Sequence, residues 1–265
     1  MSVVEVTRGD GPVVLGLPHT GTDVPPEVWA RLNARGRALA DTDWHVDRLY
    51  DGLLDDLTVV RAGVHRYVID VNRPPKGESL YPGQGTTGLV PLTDFEGEPI
   101  WEEAPDATEV EARRAAVHAP YHAALAAEVE RVRAAHGVVV LWDAHSIRSR
   151  LPFLFEGRLP DLNIGTFDGR SCASSVQEAA HEVAASSPYA AVVNGRFKGG
   201  WTTRHYGRPQ AGVHAIQMEV AQSAYLVEEA PPWRYDQRKA DRLRRWLAGI
   251  MRAVADAAAE LPRRD

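Results

Sequence analysis

Four short polar segments of the sequence contain the residue types from which hydrolytic metal sites are built. They are Pro18-His19-Thr20-Gly21, Asp70-Val71-Asn72-Arg73-Pro74, Asp143-Ala144-His145-Ser146 and His214-Ala215-Ile216-Gln217-Met218-Glu219. Two histidines, a carboxylate and one open position form the ligand set of a catalytic zinc ion. A further carboxylate can accept a proton from a water molecule at such an ion. The residue types therefore favour His19 and His145 as metal ligands and Glu219 as a general base.

Each of these segments follows or ends a predicted β-strand. Apolar, β-branched runs predict strands at residues 13–17, 58–61, 67–71, 138–142, 190–193 and 214–220. Helical spacing predicts helices around residues 44–57, 108–136, 171–185 and 235–261, and residues 72–105 and 197–212 are predicted loops. Strands that alternate with helices favour an α/β fold with a mainly parallel or mixed central sheet and helices on both faces. Ligands of such sheets bind beyond the carboxyl ends of the strands, so we expect the four segments to meet there.

The composition is that of an ordinary globular protein. The chain has 265 residues, of which 44% are hydrophobic and 25% charged, and these values exclude a disordered or collagen-like chain. The net charge of −6 argues against a general nucleic-acid-binding protein, which needs a surplus of lysine and arginine. No apolar run is long enough for a membrane span or a secretory signal. We expect one domain over residues 1–265 in the cytoplasm, with a small molecule as its partner rather than nucleic acid or a membrane.

The order of the polar segments resembles that of the N-formylglutamate amidohydrolase family, also called N-formylglutamate deformylases. The resemblance includes a further segment between the first two, Asp41-Thr42-Asp43-Trp44-His45-Val46-Asp47-Arg48-Leu49-Tyr50. It extends over nearly the whole chain, and the segments are specific together although none is specific alone. The resemblance implies an enzyme that hydrolyses N-formyl-L-glutamate to formate and L-glutamate, the last step of a histidine degradation route.

The family is similar in fold to the zinc carboxypeptidases, a phosphorylase/hydrolase-like fold, and this similarity bears on the third metal ligand. Those enzymes place a glutamate three residues after the first ligating histidine, but here that position is Thr22. Asp43 is the first choice in its place, because it opens a predicted helix and can project from the sheet edge. His45 and Asp47 are the open alternatives. The ligand set implied for a divalent metal, with zinc expected, is His19, Asp43 and His145.

The resemblance also implies how a substrate is bound and attacked. The metal polarises the formyl oxygen and lowers the pKa of a water molecule, while Glu219 takes the water proton and returns it to the departing amine. Asn72 and Arg73 orient a substrate carboxylate, for which the planar guanidinium is suited. N-formylglutamate is a dianion, so a second cation is expected. The candidates for it are Arg148, shortly after the third segment, and Arg204, in the glycine-rich second loop.

The sequence leaves other functions open. The same site can serve an amidase for another N-acyl amino acid or a short peptide, because pocket depth is not encoded in these motifs. Ser146 beside His145 suggests a serine hydrolase, but the Gly-x-Ser-x-Gly pattern of a nucleophile elbow is absent around it. A non-catalytic metal-dependent binding protein would have no need of a free carboxylate such as Glu219. None of these features predicts the oligomeric state.

Overall fold

A computed structural model of the chain describes residues 2–78 and 87–262, and these residues build a mixed sheet of seven strands. The strands are β1 (Val4–Thr7), β2 (Val13–Leu17), β3 (Thr58–Ala62), β4 (Val139–Ile147), β5 (Leu162–Gly165), β6 (Ala191–Val193) and β7 (Val213–Ala221). Their order across the sheet is β1-β3-β2-β4-β7-β5-β6. The four central strands, β3, β2, β4 and β7, are parallel, whereas β1 is antiparallel to β3 and β5 is antiparallel to β7. The predicted α/β class with a mixed sheet is confirmed.

Helices cover both faces of this sheet. They are α1 (Pro26–Arg31), α2 (Ala34–Arg37), α3 (Val46–Tyr50), α4 (Ala107–Arg113), α5 (Ala119–His136), α6 (Ser174–Ala185), α7 (Trp201–Tyr206) and α8 (Gln237–Ala259). Apolar side chains of α3, α6 and α8 share one core with one face of the central strands. Those of α5 share a second core with the opposite face. Within the described residues, no helix combines the length and apolar character needed to cross a membrane.

Alternation along the two central strands β4 and β7 places several of their polar residues on one face. Trp142 and Ala144 belong to the core beneath α6 and α8, and so does Met218. Because successive strand residues point to opposite faces, the side chains of His145 and Glu219 lie on the α5 face. Both strands are buried along their whole length, including these polar residues. The strand pattern therefore delivers several polar groups to one side of the sheet.

The long helix predicted at residues 108–136 is confirmed, but it is not regular throughout. It begins with a capping box between Asp106 and Glu109 and contains one π-helical turn, Arg114–His118, between α4 and α5. Gly137 ends it with φ of 77°, a left-handed conformation that glycine adopts without strain. The π-helical turn shifts the register of the helix, and His118 stands at the end of this turn.

Several predicted elements differ from the structure. The strand predicted at residues 67–71 is wrong: these residues form a buried turn, in which apolar side chains fill the core without pairing in the sheet. The helix predicted at 44–57 is reduced to α3, because a turn at Gly52, with φ of 62°, follows it closely. The predicted loop at 197–212 contains α7, and β1 and β5 were not predicted. A run of apolar residues predicts that a segment is buried, but it does not show whether the segment is a strand or a packed turn.

Candidate active site

Three buried side chains from separate parts of the chain converge at the carboxyl end of the central strands. His19 follows β2, Asp43 precedes α3, and His145 lies near the end of β4. The Nδ1 atoms of the two histidines are 3.1 Å apart. Asp43 Oδ2 lies 3.1 Å from Nδ1 of His145 and 3.7 Å from Nδ1 of His19. The structure thus brings together the three predicted metal ligands, with their ligand atoms within 4.8 Å of one another.

The far nitrogens of both imidazoles face carboxylates. His19 Nε2 lies 2.7 Å from Asp70 Oδ1, and His145 Nε2 lies 3.1 Å from Asp143 Oδ1. An ionised carboxylate only accepts hydrogen bonds, so it favours a proton on Nε2 and leaves the Nδ1 lone pair pointing inward. Two inward lone pairs beside the Asp43 carboxylate make an electron-rich cluster that a divalent cation would balance. The donor set therefore fits a metal ion of the zinc type.

The charges around this cluster keep its carboxylates ionised. Burial alone would raise the pKa of Asp70, but Arg73, His19 and Arg66 outweigh it and hold that pKa well below its usual value. Arg66 Nη2 donates to Asp70 Oδ2 at 2.8 Å. Burial likewise opposes ionisation of Asp43, yet the adjacent imidazoles of His145 and His19 lower its pKa. Ionised carboxylates are the form that ligates a metal or orients an imidazole.

The two alternative ligands, His45 and Asp47, lie away from the cluster. His45 has φ of 62°, and its Nε2 donates to the main-chain carbonyl of Trp233 at 2.8 Å. The Asp47 side chain is 42% exposed and lies 3.5 Å from Arg61. Asp43 is therefore the only one of the three open candidates whose carboxylate or imidazole faces His19 and His145.

Glu219 lies beside the cluster because β7 pairs with β4. Its Cα is the direct register partner of the Cα of His145 in the parallel ladder. Gln217 Nε2 donates to Glu219 Oε2 at 3.0 Å. Burial raises the pKa of Glu219 to about 8, and the carboxylates of Asp43 and Asp143 add to this effect against His145 and Arg66. A carboxylate with a raised pKa is a stronger base, which suits general-base chemistry.

Asn72 connects the cluster to a neighbouring helix. Its Oδ1 accepts a hydrogen bond from the main-chain nitrogen of Thr202 at 2.8 Å, at the start of α7. Its Nδ2 lies 3.0 Å from His145 Nε2. In the same helix, Thr203 Oγ1 donates to Asp143 Oδ2 at 3.1 Å. Asn72, predicted as a substrate-binding residue, therefore lies between the start of α7 and the outer nitrogen of His145.

A second pair of histidines, His118 and His122 on the long helix, holds the turn that carries Asn72 and Arg73. The Nε2 atoms of this outer pair lie 2.9 Å from the carbonyl oxygen of Arg73 and 2.7 Å from that of Val71, respectively. A carbonyl only accepts, so both Nε2 atoms carry the proton. The outer pair was not predicted from the sequence, although its spacing of four residues on a helix would have placed both rings on one face.

A cavity of about 270 Å³ opens beside the cluster, and several arginines line it. Arg73 is anchored by hydrogen bonds from Nε to the Thr87 carbonyl and from Nη2 to Thr87 Oγ1, both at 2.9 Å. Arg66 and Arg196 also line the cavity, and neither was predicted as a site residue. Arg66 stands four residues before Asp70, a spacing that could have marked it as a partner of that carboxylate. No comparable signal marks Arg196.

Arg148 and Arg204, the predicted second cations, do not line this cavity in the described part of the chain. Arg148 Nη2 donates to Asp41 Oδ1 at 3.3 Å, and its Nη1 donates to Glu96 at 2.5 Å. Arg204 Nε donates to the Gly199 carbonyl at 2.8 Å, and its guanidinium lies 4.7 Å from the centre of the Phe167 ring. The structure gives both side chains protein partners outside the cavity.

Ser146 lines the cavity, but no described imidazole forms a hydrogen bond with its hydroxyl as a serine nucleophile requires. Its Oγ accepts a hydrogen bond from the Tyr225 hydroxyl at 2.8 Å and lies 3.3 Å from Gln222 Nε2. The hydrogen bonds described for Oγ involve no imidazole that could serve as its base. The geometry therefore gives no support to a serine hydrolase.

Comparisons with known proteins find relatives that match most of the chain. The family model of N-formylglutamate amidohydrolase matches residues 11–226. The chain is 47% identical over 246 residues to N-formylglutamate deformylase of Pseudomonas aeruginosa, covering 91% of this chain and 92% of that protein. It is 43% identical over 262 residues to N-formylglutamate deformylase of Pseudomonas putida, covering 97% of each.

Solved structures show the same architecture. The crystal structure of N-formylglutamate amidohydrolase from Ralstonia eutropha aligns with a TM-score of 0.79 and 25% identity, covering 96% of this chain and 97% of that one. A protein of Agrobacterium tumefaciens aligns with a TM-score of 0.73 at 19% identity, covering 97% and 96%, and this likeness concerns the fold alone. Fold, site and relatives together define a hydrolase with an α/β architecture. More closely, the chain belongs to the N-formylglutamate amidohydrolase family.

Proposed function

We propose that this chain catalyses the metal-assisted hydrolysis of N-formyl-L-glutamate to formate and L-glutamate. The observation that carries the proposal is the convergence of His19 Nδ1, His145 Nδ1 and Asp43 Oδ2 at one point of a cavity that Glu219 and arginines line. The relatives named N-formylglutamate deformylase support the choice of substrate. A cytoplasmic location and zinc as the ion stay predictions.

The metal is the first element of the proposal. A divalent ion held by His19, Asp43 and His145 would supply Lewis acidity toward the formyl oxygen and toward a water molecule. Asp70 and Asp143 hold the two imidazoles in the orientation that such ligation needs. Two imidazole nitrogens and one carboxylate form a donor set that suits zinc, which is why zinc is expected.

Glu219 is the proposed general base. Its Oε2 accepts from Gln217, so Oε1 is the atom available for the proton of the attacking water. The same carboxyl group then delivers this proton to the amide nitrogen as the bond between carbon and nitrogen breaks, and the amine leaves neutral. A buried glutamate whose pKa is raised to about 8 can perform both transfers near neutral pH.

Arg73 is the proposed partner of the α-carboxylate of the substrate. Its guanidinium lines the cavity, and Thr87 fixes its Nε and Nη2. The outer pair of histidines fixes the main chain on either side of Asn72. Hydrogen bonds thus hold both the main chain and the guanidinium of Arg73, so its positive charge has a defined position. A substrate carboxylate bound there would orient the amide bond for attack.

The test compares acyl groups on one amino acid. Enzyme loaded with zinc should release formate from N-formyl-L-glutamate, hydrolyse N-acetyl-L-glutamate at a much lower rate, and lose activity with a chelator. Adding zinc back should restore it. If N-acetyl-L-glutamate or a glutamyl dipeptide is the better substrate, the chain is an amidase of another acyl class. If activity persists when metal analysis finds no bound ion, the proposed role of the metal is wrong.

A further inference from the structure

Recognition of a dicarboxylate requires two cationic groups in one cavity, and three arginines line the cavity beside the metal ligands in the described residues. Arg66 is 5% exposed and bound to Asp70, and its Nη1 lies 3.8 Å from Asp43 Oδ1. Two carboxylates of the site therefore already balance its charge. Arg73 is assigned above to the α-carboxylate. The third arginine, Arg196, has no role in that scheme.

Arg196 follows β6, in a segment that is pinned against the site. The main-chain nitrogen of Gly200 donates to Gln217 Oε1 at 2.6 Å. Gly200 also lies so close to Asn72 that a Cβ at this position would stand 2.4 Å from Asn72 Nδ2. The segment from residue 196 to 200 can approach the cavity this closely only because residue 200 is glycine.

The surroundings of Arg196 suit the side chain of glutamate. Its Nε donates to the Leu154 carbonyl at 3.0 Å, and its guanidinium carbon lies 5.3 Å from the centre of the Phe197 ring. Leu154 and Phe197 line the same cavity, together with Ile147. Apolar side chains next to a fixed guanidinium form a subsite for methylene groups that end in a carboxylate.

We propose that Arg196 binds the γ-carboxylate of the substrate and so determines the preference for an acidic N-formyl amino acid. This inference rests on the proposed function of the site. It replaces Arg148 and Arg204, which the structure places outside the cavity, as the second cation. The subsite is specific for a carboxylate two methylene groups away from the α-carbon.

Two monoamide substrates separate the two carboxylates. N-formyl-L-isoglutamine retains only the γ-carboxylate, and N-formyl-L-glutamine retains only the α-carboxylate. In Arg196→Met, kcat/KM for N-formyl-L-glutamate and N-formyl-L-isoglutamine should fall roughly 10²-fold, because a charge-assisted pair with the substrate is lost. The value for N-formyl-L-glutamine should stay within about threefold of the wild type, since that substrate has no charge for Arg196 to bind.

Controls make each outcome decisive. Arg133→Met, on the outer surface of α5 where Arg133 pairs with Glu130, should leave all three kcat/KM values unchanged. Arg196→Lys should restore part of the selectivity because it keeps the charge. A loss confined to N-formyl-L-glutamine, an equal loss for all three substrates, or a selective loss in Arg204→Met instead would overturn the proposal. A wild type that hydrolyses none of the three points instead to failure of the proposed function.

A binding measurement gives a second readout. Calorimetric titration of the zinc-loaded protein with L-glutamate, the expected product, should show weaker binding to Arg196→Met by a similar factor, whereas L-glutamine should bind both proteins alike. Melting temperatures and metal content of the two proteins should agree. Unchanged affinity for L-glutamate in a folded, metal-loaded Arg196→Met protein would remove Arg196 from the subsite.

Discussion

Two pairs of closely spaced histidines in the described residues have contrasting surroundings. In the inner pair, His19 and His145, the ring centres are 4.9 Å apart, and in the outer pair, His118 and His122, they are 4.5 Å apart. Carboxylates face the Nε2 atoms of the inner pair, whereas main-chain carbonyls face those of the outer pair. Similar ring spacing therefore accompanies different chemistry.

The partner of each imidazole decides what that imidazole can do. Burial opposes a charge on His145, but Asp143 and Asp43 outweigh burial and raise its pKa well above the usual value. Burial lowers the pKa of His122 to about 3, and the Val71 carbonyl compensates only weakly. His145 thus stands in an environment that favours a positive charge, whereas burial keeps the rings of the outer pair neutral. Burial of a histidine is a poor guide to metal binding unless its partners are known.

The largest expected effect comes from removing a member of the inner pair. His145→Ala should lose most of the bound metal and nearly all activity, since three protein ligands leave no redundancy. Metal content by elemental analysis and formate release, measured on one preparation, check this. His122→Ala is the matched variant from the outer pair and should retain its metal. A full equivalent of metal in His145→Ala would show that His145 is not a ligand.

The second largest effect on activity is expected from Glu219, the proposed general base. Glu219→Gln keeps the shape and removes the proton acceptor, so turnover should fall roughly 10²- to 10⁴-fold, the usual weight of general acid–base catalysis. Metal content and melting temperature should be retained, because Gln217 can still pair with the new amide. If the variant is instead unfolded or metal-free, Glu219 has a structural role. A stable and fully active variant would contradict both roles.

A smaller effect is expected from the outer pair. His122→Phe keeps an aromatic ring against Trp201 but removes the hydrogen bond to the Val71 carbonyl. KM should rise roughly 10-fold with a smaller change in kcat, as is common when an outer partner of a site is lost. His122→Gln, which keeps a donor, should recover part of this loss. If His122→Phe loses as much metal as His145→Ala, the outer pair also contributes to metal binding, and the distinction between the two pairs is wrong.

The smallest expected effect on activity is that of Arg148→Met. Arg148 pairs with Asp41, a fully buried carboxyl whose pKa burial raises to about 6, and with Glu96. Loss of the arginine should lower the free energy of unfolding by about 2 kcal/mol, because the buried Asp41 carboxylate loses one of its cationic neighbours and keeps Arg66. KM for N-formyl-L-glutamate should stay within about twofold of the wild type. Chemical denaturation and steady-state kinetics check these two expectations; a large rise in KM with unchanged stability would restore Arg148 to the binding site.

The sequence predicts those site residues that stand in or next to strands. His19, His145 and Glu219 follow apolar runs, and the alternation of the central strands fixes the face of the sheet to which they belong. Asp43 required the family resemblance, because it lies between elements and its position depends on the short helix α3. Strand periodicity therefore predicts the positions of the two histidines and of Glu219.

The residues that surround the substrate were harder to predict. Arg148 and Arg196 have the same side chain and both lie near apolar residues in the sequence, but only Arg196 reaches the cavity. Its position depends on the close approach of Gly200 to Asn72, a contact across 128 residues of sequence (200 − 72) that no local pattern encodes. The turn at residues 67–71 was mistaken for a strand for the same reason, since tertiary contacts hold it.

His145 and Glu219 are direct register partners in two buried, neighbouring strands. The distance between the proposed metal ligand and the proposed base is therefore set by the main-chain hydrogen bonds between β4 and β7. Neighbouring strands stand about 4.8 Å apart in any sheet, and a shift of one residue would turn both side chains to the opposite face. The proposed substrate contacts, by contrast, come from the turns that carry Arg73 and Arg196, which line the cavity. Substitutions in these turns can therefore change the acyl or amino-acid preference while the strands keep His145 and Glu219 in the same relative position.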